Sequence, residues 1–229
     1  MLLSELFNYI ATLDSSSLDL DTNGDGVIVA GHYPKVINAI NLGLIQLYAE
    51  FPVKEKSLVV QLYSHITNYE LATKFAANSG SAETYKYILD TSSDPFLDDV
   101  SIIQTISNEI GVELAINQSN DLLSVYTPAY NMIQHPYPDN DNTIFVTYKA
   151  RHVEIAKTAT ASTYVVDIPS QLLPLLLIYV NHKLLASINK EESMAKLSEY
   201  VGALRNAKTM GLFVSEGSSN EKLEDSGWL

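Results

Sequence analysis

Apolar residues recur every three or four positions at both ends of this chain, and every second position through its middle. A stripe at helical spacing does not serve as a strand, nor an alternating run as a helix. The change of period therefore predicts helices at the two ends and sheet between them. Leu6, Ile10 and Leu13 share one face of a first helix, read from its cap Ser4 to Leu13. A polar, glycine-rich stretch from Asp14 to Gly31 follows. The second helix is the clearest: Pro34 suits its first turn, Ile37, Ile40, Leu44, Leu47 and Phe51 form its stripe, and Pro52 ends it.

From Leu58 to about Val166 the period is two. Leu58, Val60 and Leu62 alternate with Val59, Gln61 and Tyr63. Ile102–Ile106 and Val112–Ile116 flank a turn at Asn108–Gly111 and are predicted to pair as a hairpin. Thr143–Tyr148 is a β-branched and aromatic run behind the turn residues Asp139 to Asn142. Helix returns from Pro169 to about Ile188, with Pro174 predicted to bend it. Asn189 and Glu192 form a capping pattern for a last helix with a stripe of Met194, Leu197, Val201 and Leu204, stopped at Gly211.

The simplest assembly is an α+β fold: a four-helix bundle formed by the N- and C-terminal segments, an inserted antiparallel β domain, and an extended C-terminal arm. Residues 1–56 supply the N-terminal helices, 57–167 the β domain, 168–211 the C-terminal helices and 212–229 the arm. No internal repeat is evident at a period of 20–50 residues.

The 229 residues suffice for one large domain or two small ones with a buried core. Absence of cysteine excludes disulfides and thiolate metal sites. The N-terminus lacks the basic-then-apolar pattern of a signal peptide. The longest apolar run, Leu172 to Val180, is too short for a bilayer core that takes roughly 20 residues, so a soluble chain with no membrane partner is expected. A net charge of −13 argues against a general phosphate-binding surface, while a negative wall lets a duplex slide past without sticking.

Chemistry-bearing motifs are few. Asp21-Thr22-Asn23-Gly24-Asp25-Gly26-Val27-Ile28 matches the first half of an EF-hand loop, with Asp21, Asn23 and Asp25 as oxygen ligands. Position 12 of that motif requires a bidentate glutamate, and His32 stands there. The alternatives are a calcium-dependent binding module and a turn whose Asp and Asn side chains bond their own backbone. His32, His65, His135, His152 and His182 show no metal-ligand spacing and read as surface or packing residues. Asp98 and Asp99 are adjacent, so on a strand they would point to opposite faces, and the pair reads as a turn into a strand at Ser101. No nucleophile elbow, phosphate loop or dinucleotide fingerprint occurs. No catalytic residue, metal or cofactor is therefore assigned, and a hydrolase has the least support. The 14 tyrosines combine apolar faces with hydroxyls, as protein interfaces favour.

The arm ends Asp225-Ser226-Gly227-Trp228-Leu229 and holds the single tryptophan. Ordering a residue costs roughly 1–2 kcal/mol, and burying a large apolar side chain returns roughly 1.5–3 kcal/mol. Trp228 and Leu229 cannot order the arm alone, so it is expected to gain structure against a partner. The partner-binding residues assigned are Leu212, Phe213, Val214, Leu223, Gly227, Trp228 and Leu229.

Four groups of residues, in this order, resemble one family. They are Asn41-Leu42-Gly43-Leu44 with Leu47-Tyr48 and Phe51; Tyr87-Ile88 with Phe96-Leu97-Asp98-Asp99-Val100; Asp167-Ile168-Pro169, Tyr179-Val180, Ala195-Lys196 and Tyr200; and the terminal Gly227-Trp228-Leu229. Together the chain resembles the head-to-tail adaptor (tail tubular protein A-like) family of tailed bacteriophages. The resemblance implies a structural virion protein and not an enzyme. It implies a ring of about 12 copies in the neck of the virion, assembled in the host cytoplasm. The ring would sit between the portal protein and a tail tube or nozzle protein, with DNA passing through its lumen during ejection and the arm gripping the portal or a neighbour. The Asp21–Ile28 loop departs from the family pattern, as does Glu224-Asp225, where a basic residue is usual.

Overall fold

The computed structural model describes residues 1–13, 20, 27–140 and 142–211. Among them the chain is mixed α+β, with four α-helices and two small antiparallel sheets. It divides into two compact units: Met1–Val53 joined by the chain from Glu154 onward, and Lys54–Val153.

The helical unit contains α1 (Leu3–Ala11), α2 (Tyr33–Glu50), α3 (Leu173–Leu185) and α4 (Lys190–Thr209). α3 packs against each of the other three, which explains its apolar character on nearly every side. All five residues of the α2 stripe, Ile37 to Phe51, are buried in one core with Leu3, Leu6 and Ile10 of α1 and Leu175, Leu176, Val180 and Leu184 of α3. Gly43 lets α2 and α3 approach closely: a Cβ there would stand 2.5 Å from Leu176 Cδ1 and 3.2 Å from Tyr179 Cδ1.

Residues 154–167, read from sequence as the end of the sheet region, lie with the helices. The cause is a side-chain staple. Asn41 Nδ2 donates to the Ile155 carbonyl (3.0 Å), and its Oδ1 accepts the Ile155 N–H (2.9 Å). Two turns along α2, the Tyr48 hydroxyl donates to the Asp167 carbonyl (2.8 Å). The same segment corrects the start of α1. Ser4 is not its cap; the Leu3 and Ser4 N–H groups donate to the carbonyls of Tyr164 and Ala161, and Glu5 accepts the Leu2 N–H.

Two further helix expectations change. α3 is entered through a 3-10 turn at Ser170–Leu172 and ends at Leu185, so Pro174 lies in its first turn, where a missing N–H costs nothing, and does not bend it. α4 is capped as expected, Asn189 Oδ1 accepting the Glu192 N–H (3.2 Å), and Gly211 follows it in the left-handed region at φ +66. Its buried residues, however, are Ser193, Tyr200 and Ala207, while Met194 and Val201 of the expected stripe face solvent.

The second unit holds β1 (Glu55–Gln61), β2 (Asn68–Glu70), β3 (Val100–Asn108), β4 (Tyr126–Ala129), β5 (Met132–Gln134) and β6 (Thr143–Ala150). One sheet has the order β1-β6-β3 and the other β2-β5-β4. Leu58 pairs with Val146 and Val60 with Ile144, and all four turn into a core shared with Tyr69 and Ile133 of the other sheet. The expected hairpin forms at its turn end: the Asn108 N–H donates to the Val112 carbonyl (3.0 Å), the Leu114 N–H to the Ile106 carbonyl (2.8 Å), and Ser107 bridges to Glu113. β3 pairs along its length with β6 on its other edge, and beyond Leu114 the returning chain leaves β3, Ile116 bridging to Val125 instead.

Candidate functional site

Alternation along β1 puts Lys56 on the same side as Leu58 and Val60, opposite Tyr148 of β6. A lysine turned toward a core needs a counter-charge. Asp99, just before β3 and 2% exposed, supplies it: its Oδ2 lies 2.6 Å from Lys56 Nζ, and its Oδ1 accepts the Tyr148 hydroxyl at 2.9 Å. Burial, and then the neighbouring Asp99 carboxylate, push the Tyr148 hydroxyl far above its usual range, so it remains a donor. Asp98 points the other way. Held at φ +54, it accepts the Thr73 N–H on Oδ1, while Arg151 Nη2 donates to its carbonyl (2.6 Å). The two aspartates thus engage different partners, with the strand beginning at Val100.

Beside this cluster lies a cavity of about 120 Å³ lined by Lys56, Ile88, Asp90, Asp94, Phe96 and Tyr148. It has room for a few waters and is well below the size of a drug-like ligand site. The Asp90 carboxylate on its wall is already taken by the N–H groups of Asn78 (2.9 Å) and Phe96 (3.2 Å). In the helical unit, a larger cleft of about 700 Å³ runs between the outer face of α1 and the entry to α3. Met1, Tyr9, Ile168 and Leu173 supply its apolar lining, and Glu5, Asn8, Thr12 and Ser170 its polar lining. Its makeup suits binding of an apolar segment.

The histidines are placed by packing. His182 and Ser193 join α3 to α4: His182 Nδ1 lies 2.9 Å from the Ser193 carbonyl, and the Ser193 hydroxyl donates to the His182 carbonyl at 3.0 Å. His65 packs edge-on against Tyr85 and at a tilt against Tyr63. His135 is half-buried, and its Nδ1 has no partner. Among the described residues, no group of three or more His, Asp or Glu is arranged to hold a metal, and no helix is long and apolar enough to cross a membrane.

Asp21, Asn23 and Asp25 of the EF-hand-like loop lie outside the described residues, as do Leu212, Phe213, Val214, Leu223, Gly227, Trp228 and Leu229 of the arm. Sequence reasoning passed over Lys56, although its place two residues before Leu58 was a readable signal. It also passed over the apolar side chains carried on the turns after β3. The sequence matches no model of a known protein family and no curated protein.

Proposed function

We propose that this chain is a structural virion protein, the head-to-tail adaptor that joins a bacteriophage portal to its tail. In this reading α1 to α4 form the four-helix bundle of each subunit. About 12 copies close a ring in the virion neck, where heterologous contacts between unlike patches generate closure. The arm from Leu212 to Leu229 extends from the bundle and grips the portal or the adjacent subunit, while the β unit meets the tail tube or nozzle protein. The role is mechanical, without catalysis or cofactor.

The observation that carries the reading is the chain's division. Helices from both ends share one core, and an all-β unit is inserted between α2 and the segment leading to α3. That is the arrangement the resemblance implies. Residues behind the resemblance also have structural work in this architecture: Asn41 and Tyr48 staple the returning chain, and Gly43 seats α2 on α3. The net charge of −13 supports a lumen through which DNA passes without adhering.

Co-expression with the portal protein of the same genome tests this. Full-length chain is expected to co-purify with portal rings and to add a second annular density by electron microscopy. A chain deleted from Leu212 to Leu229 is expected to keep its helical circular dichroism and lose portal binding. Portal rings that stay bare with the full-length chain, or a truncated chain that binds them as well, would refute the reading or the arm's part in it. Portal and capsid genes upstream, with a tail gene downstream, are the expected neighbours.

A further inference from the structure

Large apolar side chains held out in water on a rigid support mark a surface that is covered in the working assembly. Among the described residues, two such sets have opposite charges beside them. The first sits on two tight turns after β3. In one, Asn108 Oδ1 accepts the N–H groups of Ile110 (3.2 Å) and Val112 (2.8 Å). In the other, Asp121 Oδ1 accepts the Leu123 N–H (2.9 Å), and Ser124 Oγ accepts the Gln118 N–H (2.9 Å). Ile110 is 77% exposed and Leu122 80%, with Val112 and Leu123 also more than half exposed. Because these bonds fix the backbone, docking the side chains needs little further ordering.

Glu109, Glu113 and Asp121 are exposed among those tips. Neither turn carries a Lys or Arg to offset them. Such tips are repelled by nucleic acid and by anionic lipid. They suit an apolar surface flanked by cations.

The second set is on α4. Each helical residue turns roughly 100°, so Lys190, Met194, Val201 and Arg205 share one flank, beside half-buried Leu197 and Leu204. Met194 is 55% exposed and Val201 56%. Lys196 pairs with Glu199, and Lys208 with Glu50, but no carboxylate among the described residues pairs with Lys190 or Arg205. Lys190 stands in the first turn of α4, where the helix dipole disfavours a cation, so helix stability does not account for it.

We propose that the tips bearing Ile110, Val112, Leu122 and Leu123 in one copy dock on the Lys190–Met194–Val201–Arg205 flank of α4 in the next. Acidic residues around the tips meet the two cations, and the apolar side chains meet between them. The contact joins unlike patches, so it propagates from copy to copy and closes wherever the rotation permits. It rests on the ring reading above and names the contact through which that ring closes.

The absence of native cysteine makes disulfide trapping selective. A Leu122→Cys chain and a Val201→Cys chain are purified separately, checked for unchanged thermal melting, mixed and oxidised. The cross-linked heterodimer is expected to dominate over either homodimer, and to exceed the yield from Leu122→Cys with a control at exposed Thr158, Thr158→Cys. Adding Glu109→Lys, Glu113→Lys and Asp121→Lys to the Leu122→Cys chain should lower the heterodimer yield about tenfold, because like charges then face each other. Adding Lys190→Glu and Arg205→Glu to the Val201→Cys partner should restore it. A heterodimer yield equal to the control, or one indifferent to charge reversal, overturns the contact. If cross-linking fails while full-length chain still assembles on portal rings, this contact falls and the ring reading stands. If cross-linking succeeds and portal binding fails, the reverse holds.

Discussion

Replacing Asn41 with leucine removes the staple that holds the returning chain on α2 while keeping the same branched heavy-atom skeleton. Asn41 and Ile155 are both buried, and the amide closes two hydrogen bonds onto the Ile155 backbone, at 3.0 and 2.9 Å. Leucine leaves the Ile155 N–H and C=O facing apolar neighbours. An unsatisfied buried group costs roughly 1–3 kcal/mol, so two cost about 2–6 kcal/mol. Burying leucine in place of an amide returns about 1–2 kcal/mol. The expected net loss spans about 0–5 kcal/mol and centres near 2.5 kcal/mol, a substantial share of a typical 5–15 kcal/mol total. The opening is local, because only the segment from Ile155 to Asp167 loses its anchor at once. Native-state hydrogen exchange should therefore show the Ile155 amide losing protection by roughly 30-fold or more, at 1.4 kcal/mol per tenfold. Tyr69 and Ile133, in the other unit, should keep theirs. A loss below about 0.5 kcal/mol, within the range of ordinary surface substitutions, with Ile155 still protected, would refute the assignment of the staple.

Asp99→Ala leaves Lys56 Nζ and the Tyr148 hydroxyl without their acceptor; it should cost about 3 kcal/mol in urea unfolding, while Lys56→Met combined with Asp99→Leu should recover most of that. Burial holds His135 below its ordinary 6.5. The unfolded chain therefore binds a proton that the folded chain refuses, and stability falls as pH drops through about 6.5 toward the lowered value. His135→Gln should flatten this part of the profile when urea midpoints are compared at pH 7.5 and 5.5, and an unchanged slope would count against the burial of the ring. The Tyr200 hydroxyl is buried without a partner and is raised to about 12 by burial first, then by Tyr179 and Glu50. Tyr200→Phe should hold or raise stability, by up to about 1 kcal/mol, and a melting temperature clearly lowered would show that the hydroxyl has a partner.

Legibility in the sequence followed how far a single signal could decide a position. The α2 helix was readable because five apolar residues at spacings of three and four were punctuated by Pro34 and Pro52, and all five are buried. α4 was readable as a helix, but its face was not. Hydrophobicity pointed to Met194 and Val201. The buried line instead runs through Ser193, whose hydroxyl is satisfied on the α3 backbone, Tyr200, packed edge-on to Tyr179 at 5.1 Å, and small Ala207. A polar residue with its bonds made inside can hold a core position, and a stripe counted on apolarity alone passes over it. The helix then shows Met194 and Val201 to water, which is why that flank is available to a neighbour.

The candidate site was half legible for a related reason. Period two along β1 orients Lys56 as surely as Leu58, and Asp98 and Asp99 form a turn into the strand, as read, with their side chains on different partners. Which aspartate turns inward is decided elsewhere. β3 pairs with β6 through register shifts between Val100 and Ile102 and between Ile103 and Thr105, and no single sequence announces a bulge. Shifting the strand by one residue would carry Asp99 away from its place on the core side. Lys56 would then lose its acceptor, the Tyr148 hydroxyl would lose its partner, and the Asp98 turn that holds Thr73 would be pulled apart. A buried pair adds little net stability against an apolar substitute, but it makes the wrong register far costlier than the right one. The Lys56–Asp99 pair is thus best understood as fixing how β3 lies on β6. That alignment in turn determines where β3 ends, at Asn108, and how the side chain of Asn108 holds the turn that carries Ile110 and Val112.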